Sequence, residues 1–518
     1  MSPPCAFRHF VPKSSRAVGE ISVQRQYHLA QSANATEQHH PRQAIAMASE
    51  EAESLHVVLF PFLARGHIPA FLRLAALLHE LRPGITVTLV STARLLPSIT
   101  LPATTPPIRL HALPFAPADH GLPPGAESLA DLHVHQFIAF FQASESLRPA
   151  FQGFVSGIRS PACIIADAFF AWTADVARAR GAFHAVFLPG GAFGNAVFFS
   201  VWEHLPHTLA TAAAYDEFPL PDFPSVVLHR TQIPRYMLAA TGADPWTAFF
   251  RRVIQSCRKT DAVLVNTVQE LESSGLDMLR RSFGVQPWPI GPILAPPSLS
   301  DSQDDAGIIR WLDAHLPRSV LYISFGSQNS ISADQMAELA LGLEACGRPF
   351  LWVLRPPVGS DATDGFKPEW LPAGFEERTA KANMGLLVRG WAPQVRILAH
   401  PSTGAFMSHC GWNSILESLC HGVPLIGWPL GAEQFFNAML VAEWGVCVEV
   451  ARGNLESSAV ASGAVAETVG TVMGETAKGD EMRRNAAVIA RAMAAAWEGP
   501  RGSSAASLEG FLRCAEMS

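Results

Sequence analysis

Short apolar runs alternate along the chain with stretches whose apolar positions recur at helical spacing, and turn-forming clusters separate the two. "LHVVLFPF", starting at residue 55, reads as a strand, "IPAFLRLAALLHEL" (68–81) as a helix with Pro69 in its first turn, and "GITVTLVS" (84–91) as the next strand. "ACIIAD" (162–167), "FHAVFL" (183–188) and "DAVLVNT" (261–267) continue the same half as core strands. The uncharged stretch "AVFLPGGAFGNAVFFSVW" (185–202) is broken by Pro189, Gly190 and Gly191, which predicts a strand leading into a buried helix and not a membrane span. Pattern lapses in "PWPIGPILAPPSLSDSQDD" (287–305), so a linker is predicted there. The alternation then restarts with "VLYISFGS", "FLWVLR", "GLLVRGW", "GAFMSH" and "PLIGWP" as strands, and a helical tail runs from about 480 to 514. Strand, helix, strand repetition means parallel sheets covered by helices, so the fold class is α/β with two doubly wound halves facing a cleft.

One stretch departs from what folding alone would favour. In "GAFMSHCGWNSILESLCHG" (404–422) the strand ends near His409, Gly411 permits a tight turn and a helix starts near Asn413, ending at Gly422 ahead of Pro424. Backbone N–H groups at such a start are unpaired and the helix dipole is positive there, which suits a phosphate. A structural alternative is that Ser414 and Glu417 form a capping box.

The chain has 518 residues, 48% of them hydrophobic and 16% charged, which is material for two or more domains with large cores. A formal charge of -7 excludes the basic footprint of a nucleic-acid binder. Cys5, Cys163, Cys257, Cys346, Cys410, Cys420, Cys447 and Cys514 show no metal-ligand spacing, so reduced thiols in a cytoplasmic setting are expected, without a structural metal. Residues 1–46 differ in kind: Arg8, Lys13, Arg16, Arg25 and Arg42 stand against Glu20 and Glu37, with no apolar periodicity. They read as a disordered extension ahead of Met47, or as a transit segment for chloroplast or mitochondrion.

From Trp391 to Gln434, "WAPQVRILAHPSTGAFMSHCGWNSILESLCHGVPLIGWPLGAEQ" resembles the signature of plant secondary-product glycosyltransferases, family 1 UDP-sugar-dependent enzymes of the GT-B fold. The resemblance extends over roughly residues 54–515 and implies a division into an extension (1–53), an acceptor-binding Rossmann-like domain (54–295), a UDP-sugar-binding Rossmann-like domain (296–490) and a helical tail (491–518) packing back on the first domain. It implies that Trp391 stacks on uracil, with Gln394 and the Ala392 backbone reading the base edge. His409, Gly411, Asn413, Ser414 and Ser327 would hold the diphosphate, Glu417 the ribose, and Trp412, Glu433 and Gln434 the sugar, with Gln434 pointing to glucose. The structural alternative for Trp391 and Trp412 is core packing.

Glycosyl transfer to a hydroxyl needs a base, and histidine titrates in the right range. His67, in "PFLARGHIPAF", matches the family's catalytic histidine; Arg65 stands where the family often has Gln. Asp167, ending "ACIIAD", matches its partner carboxylate, which would fix the tautomer. Asp175 is a rival, but its helical position predicts a solvated helix face or an ion pair with Arg178 or Arg180 instead. Attack opposite UDP would invert the anomeric centre, and no metal or cofactor is expected because the helix start and side chains meet the diphosphate charge. The family often places Thr or Ser after the strand that ends at Leu188, where this chain has Pro189, Gly190 and Gly191, so that sugar contact is missing or made by backbone.

Acceptor residues are expected in 117–137 and in "FFSVWEHLPHTL" (198–209), for a small lipophilic molecule with a phenolic or alcoholic hydroxyl: a flavonoid, another phenolic or a terpenoid. The expected state is a monomer with no nucleic-acid partner. A GT-B epimerase would lack the Trp-to-Gln signature as a unit, a dinucleotide dehydrogenase would need a G-x-G-x-x-G run that is absent, and an inactive UDP-sugar sensor would lack the His67–Asp167 pair.

Overall fold

The computed structural model describes residues 55–64, 66–99, 108–158, 162–209, 216–294, 303–358, 360, 366–452 and 459–517. The extension before Met47, Arg65 and residues 295–302 of the predicted linker lie outside the described residues.

The first half contains β1 (His56–Phe60), β2 (Thr86–Thr92), β3 (Arg109–Leu113), β4 (Ala162–Asp167), β5 (Phe183–Leu188), β6 (Glu217–Pro219), β7 (Val227–His229), β8 (Ala262–Val265) and β9 (Pro287–Pro289). Seven of them form one parallel sheet in the order β3-β2-β1-β4-β5-β8-β9, and β6 and β7 pair separately as an antiparallel ribbon. The second half contains β10 (Val320–Ser324), β11 (Phe350–Val353), β12 (Gly385–Val388), β13 (Thr403–Ser408), β14 (Leu425–Gly427) and β15 (Cys447–Glu449), ordered β12-β11-β10-β13-β14-β15. Both orders are those of a doubly wound dinucleotide-type fold, in which the direction of winding reverses beside the first strand.

Strand side chains alternate between two covered faces, which is why these strands read as unbroken apolar runs. Val57 and Leu59 enter one core with the helix Ile68–Leu81, and Val58 and Phe60 enter another. That second core is continuous across the molecule, joining Phe60 and Phe170 of the first half to Tyr322, Ile415 and Phe436 of the second. The outer face of the second sheet has its own core around Leu321, Trp352 and Met407.

Two corrections concern element boundaries. The predicted linker begins too early, because Pro287–Pro289 pairs with β8 as the sheet's edge strand, a place where proline's missing N–H is tolerated. The tail is two helices. Ala477–Ala495 packs on the second half, whereas Ser503–Glu516 crosses back and buries Leu508, Phe511 and Leu512 in the core beneath β1. Arg82 fastens that last helix through Glu509, at 2.7 Å, and Glu516.

Candidate active site

The crevice of a doubly wound sheet opens at the carboxyl ends of the strands where the winding reverses. In the first half that point lies between β1 and β4, whose register pairs Phe60 with Ala166. The loop leaving β1 carries His67, and Asp167 closes β4. In the second half it lies between β10 and β13, where Ser324 pairs with Ser408, and the following loops carry Ser327 and His409.

His67 immediately precedes the helix Ile68–Leu81 and makes no side-chain cap bond there. Its Nδ1–H instead donates to Asp167 Oδ2 at 2.6 Å. Asp167 is 1% exposed, and its Oδ1 accepts the Phe169 N–H at 3.1 Å, so neither carboxylate oxygen can rotate away. Burial alone would push His67 down, but the Asp167 charge and hydrogen bond, with Glu433 across the cleft, hold it above the ordinary histidine value. The Phe62 and Phe169 rings flank the imidazole at 6.0 and 5.9 Å between centroids. Asp175 is remote from this pair. Its partners are Arg148 and Lys259, both at 3.1 Å, and not Arg178 or Arg180, which bond the Lys259 and Ile158 carbonyls. Burial would raise the Asp175 carboxyl, and the two cations outweigh it and hold it low.

The helix Trp412–Cys420 starts at Trp412, one residue earlier than its pattern suggests, with Gly411 before it and no side-chain cap. The capping box therefore does not form. Ser414 Oγ and Glu417 Oε2 both accept from Gln394 Nε2, at 3.1 and 2.6 Å, while Gln394 Oε1 accepts the Tyr322 hydroxyl. The Gln394 amide thus braces Ser414 and Glu417, a different partner set from the base edge expected for it. Burial raises Glu417 to about 6, against the lowering effect of that Gln394 bond. Ala392 is buried, and its carbonyl accepts the Gln394 N–H.

His409 is buried and lowered by burial to about 4, hence neutral near pH 7, and its Nδ1 has no protein partner. Gly326, at φ 78°, lies against the ring, where a Cβ would come within 2.7 Å of Cε1. Cys410 holds φ 62°, a strained value for a non-glycine residue, and the Asn437 amide clamps its carbonyl at 3.1 Å. Ser327 is half-buried in the turn after β10. Glu433 precedes the helix Gln434–Glu443, and burial raises it above the usual carboxylate range. Gln434 Oε1 accepts the Leu430 and Gly431 N–H groups, both at 3.0 Å, so its carbonyl shapes the loop before it.

The two tryptophans part company. Trp391 is 71% exposed in the loop after β12, which removes the core-packing alternative for it. Trp412 is 3% exposed, its indole N–H donates to the Asn266 carbonyl at 2.6 Å, and core packing describes it better than lining a sugar. Asn413 also reaches the first half, donating from Nδ2 to the Gly66 carbonyl at 2.9 Å. Pattern reading missed Asn266, which it absorbed into a core strand, and Glu272, which lies just beyond. The available signal was a polar Asn-Thr pair closing an apolar run, with a carboxylate five residues after Thr267.

The segments expected to hold the acceptor divide likewise. Phe198, Phe199 and Trp202 are buried core. Half-buried aromatics come from elsewhere: Phe169 lies 5.9 Å from the His67 ring and Trp246 stacks on Tyr236 at 4.9 Å, with buried Phe141 between Phe169 and Trp246 at 5.1 and 5.7 Å.

Two doubly wound halves, with a His–Asp pair at one switch point and an uncapped helix start at the other, define the GT-B architecture of nucleotide-sugar-dependent transferases. A family model described as "UDP-glucoronosyl and UDP-glucosyl transferase" matches residues 255–483. UDP-glycosyltransferase 92A1 of Arabidopsis thaliana is 40% identical over 488 residues, covering 90% of this chain and 98% of that protein. Crocetin glucosyltransferase 3 of Crocus sativus is 42% identical over 433 residues, 78% of this chain and 89% of that one. The crystal structure of Medicago truncatula UGT71G1 complexed with UDP-glucose superposes with a TM-score of 0.75 at 26% identity, covering 89% of this chain and 98% of that one. The chain belongs to the plant UDP-glycosyltransferase family. No helix among the described residues is long and apolar enough to cross a membrane.

Proposed function

We propose that this enzyme transfers glucose from UDP-glucose to a hydroxyl of a small lipophilic acceptor, with inversion at the anomeric carbon. The observation that carries the reading is the 2.6 Å contact between His67 Nδ1 and the buried Asp167 carboxylate. With the proton fixed on Nδ1, Nε2 is the ring atom able to take the acceptor's hydroxyl proton. The acceptor oxygen then bonds to the anomeric carbon from the face opposite UDP, the bond from that carbon to the β-phosphate oxygen breaks, and UDP departs with the electron pair. The Trp412–Cys420 helix start, with His409, Asn413, Ser414 and Ser327, meets the diphosphate charge, so the reading invokes no metal. Exposed Trp391 supplies a face for uracil, Glu417 an acceptor for ribose hydroxyls, and Glu433 with Gln434 the sugar subsite. The half-buried aromatics Phe169, Trp246 and Tyr236 favour a flat, apolar acceptor such as a flavonoid or other phenolic. The Crocus sativus relative, named for crocetin, makes terpenoid-derived acceptors the second set to test.

The test is acceptor-dependent UDP release from UDP-glucose, with phenolic and terpenoid pools, in the wild type and in His67→Ala. A fall of about 10² or more in the variant is expected for loss of a general base. Equal turnover by both proteins would refute the assignment of His67.

A further inference from the structure

The helix start assigned to the diphosphate is not held by its own half alone. Trp412, its first residue, is buried and donates its indole N–H across the molecule to the Asn266 carbonyl at 2.6 Å. That carbonyl belongs to a residue with little freedom. Asn266 is 0% exposed, its N–H bonds the Leu188 carbonyl at 3.0 Å, its Oδ1 accepts the Ile293 N–H at 2.7 Å, and its Nδ2 donates to the Pro189 and Ile293 carbonyls, each at 3.2 Å. Its neighbour Thr267 donates to Glu272, a buried carboxylate that also accepts the Ala192 and Phe193 N–H groups at 3.0 and 2.8 Å. Those two N–H groups open the helix Ala192–His204, directly after Gly191. Gly191 in turn faces the indole: a Cβ there would lie 2.9 Å from three ring atoms.

The indole is therefore fixed on two sides by the first half, at its N–H by Asn266 and at its ring by Gly191. We infer that Trp412, seated on Asn266 and Gly191, is a positioning residue that sets the place of the donor-helix N-terminus relative to the first half. This also accounts for Gly191 in the segment where a hydroxyl residue was expected: a side chain at 191 would collide with the tryptophan. The inference rests on the proposed donor role of that helix start. It adds that donor affinity depends on a contact touching neither the nucleotide nor the sugar.

The experiment compares wild type with Trp412→Phe, which removes the N–H and leaves a smaller ring, and with Gly191→Ala, which crowds the indole. UDP binding is measured by titration calorimetry, and KM for UDP-glucose, KM for acceptor and kcat by UDP release. Loss of one buried hydrogen bond corresponds to about three- to tenfold in affinity. The expected result is that rise in the UDP Kd and in KM for UDP-glucose, in both variants, with KM for acceptor and the pH profile within about twofold of wild type. An unchanged UDP Kd in a folded variant, or an acceptor KM that rises as much as the donor's, overturns the inference. Failure of both variants to fold overturns it too, since the contact would then serve folding. A wild type that binds UDP but transfers to no acceptor would sink the proposed function and leave the binding comparison intact.

Discussion

Replacing Asp167 by Asn should disable the base without displacing it, and the local geometry says how. Oδ1 of Asp167 accepts the Phe169 N–H at 3.1 Å while Oδ2 faces His67 Nδ1. In Asp167→Asn the amide oxygen remains with the Phe169 N–H, because the NH2 group cannot accept from it. The NH2 then donates to Nδ1, which moves the imidazole proton to Nε2, the atom that receives the acceptor's proton in the proposed mechanism. A hydrogen bond to a charged group, contributing about 1.5–3 kcal/mol, is lost as the imidazolium forms, roughly ten- to hundredfold in rate. The wrong tautomer adds to this, so kcat should fall by about 10² to 10⁴. The acid limb of the kcat/KM profile should also move to lower pH, since burial, which lowers His67, is then unopposed by Asp167. The decisive assay is a double-mutant cycle on UDP release with Asp167→Asn, His67→Ala and both together. If the two residues act as a unit, the double variant is within about threefold of His67→Ala. Losses that multiply, or an Asp167→Asn enzyme within threefold of wild type, would refute the argument.

Other expectations follow from the same structure. Trp391→Ala should weaken UDP binding by about five- to hundredfold, the range for loss of a base-stacking aromatic, yet leave the melting temperature unchanged because the side chain is 71% exposed; calorimetry and thermal melts check both. Asp175→Ala should keep full activity and lose at most about 1 kcal/mol of stability in denaturant titration, since its ion pairs with Arg148 and Lys259 are at the surface. Folded His67 is raised above its unfolded value near 6.5, so its titration favours the folded state fully below about pH 6.5 and that contribution fades as pH rises through the folded value. Denaturant titrations of wild type and His67→Ala at pH 5.5 and 8.5 should show the larger difference at the acid end. Glu417 behaves in the opposite practical sense: raised to about 6 by burial, it opposes folding when ionised, so Glu417→Gln should gain melting temperature over wild type at pH 8 and lose that advantage by pH 5.

Most strands were legible because both faces of a parallel sheet are covered, which writes each strand as an apolar run between turns. The edge strands of the first sheet escaped for the complementary reason. Arg109–Leu113 is largely exposed, and Pro287–Pro289 carries two prolines that read as linker. In the site, His67 and Asp167 could be placed because each lies at or just beyond a strand end, and strand ends converge at the switch point. What could not be read was which partner a side chain on one element chooses on another. Asp175 takes Arg148 and Lys259 over the nearby Arg178, Gln394 takes Glu417, and Trp412 takes a carbonyl at position 266. Helical spacing speaks only for neighbours on the same helix, and these pairs are set by how separate elements dock.

The return of the helix Ser503–Glu516 to the first half has a bearing on biosynthesis. Phe511 and Leu512 complete a core whose other walls, β1 and the helix Ile68–Leu81, are among the earliest described elements of the chain. At roughly 5–20 residues per second of translation, β1 and that helix wait for about 20–90 s before the last wall is made. During this interval Val57, Leu59 and Phe71 lack the wall that Phe511 and Leu512 supply. A chimera that joins this first half to another enzyme's second half should therefore carry residues 503–516 with the first half, or lack that wall for the life of the protein.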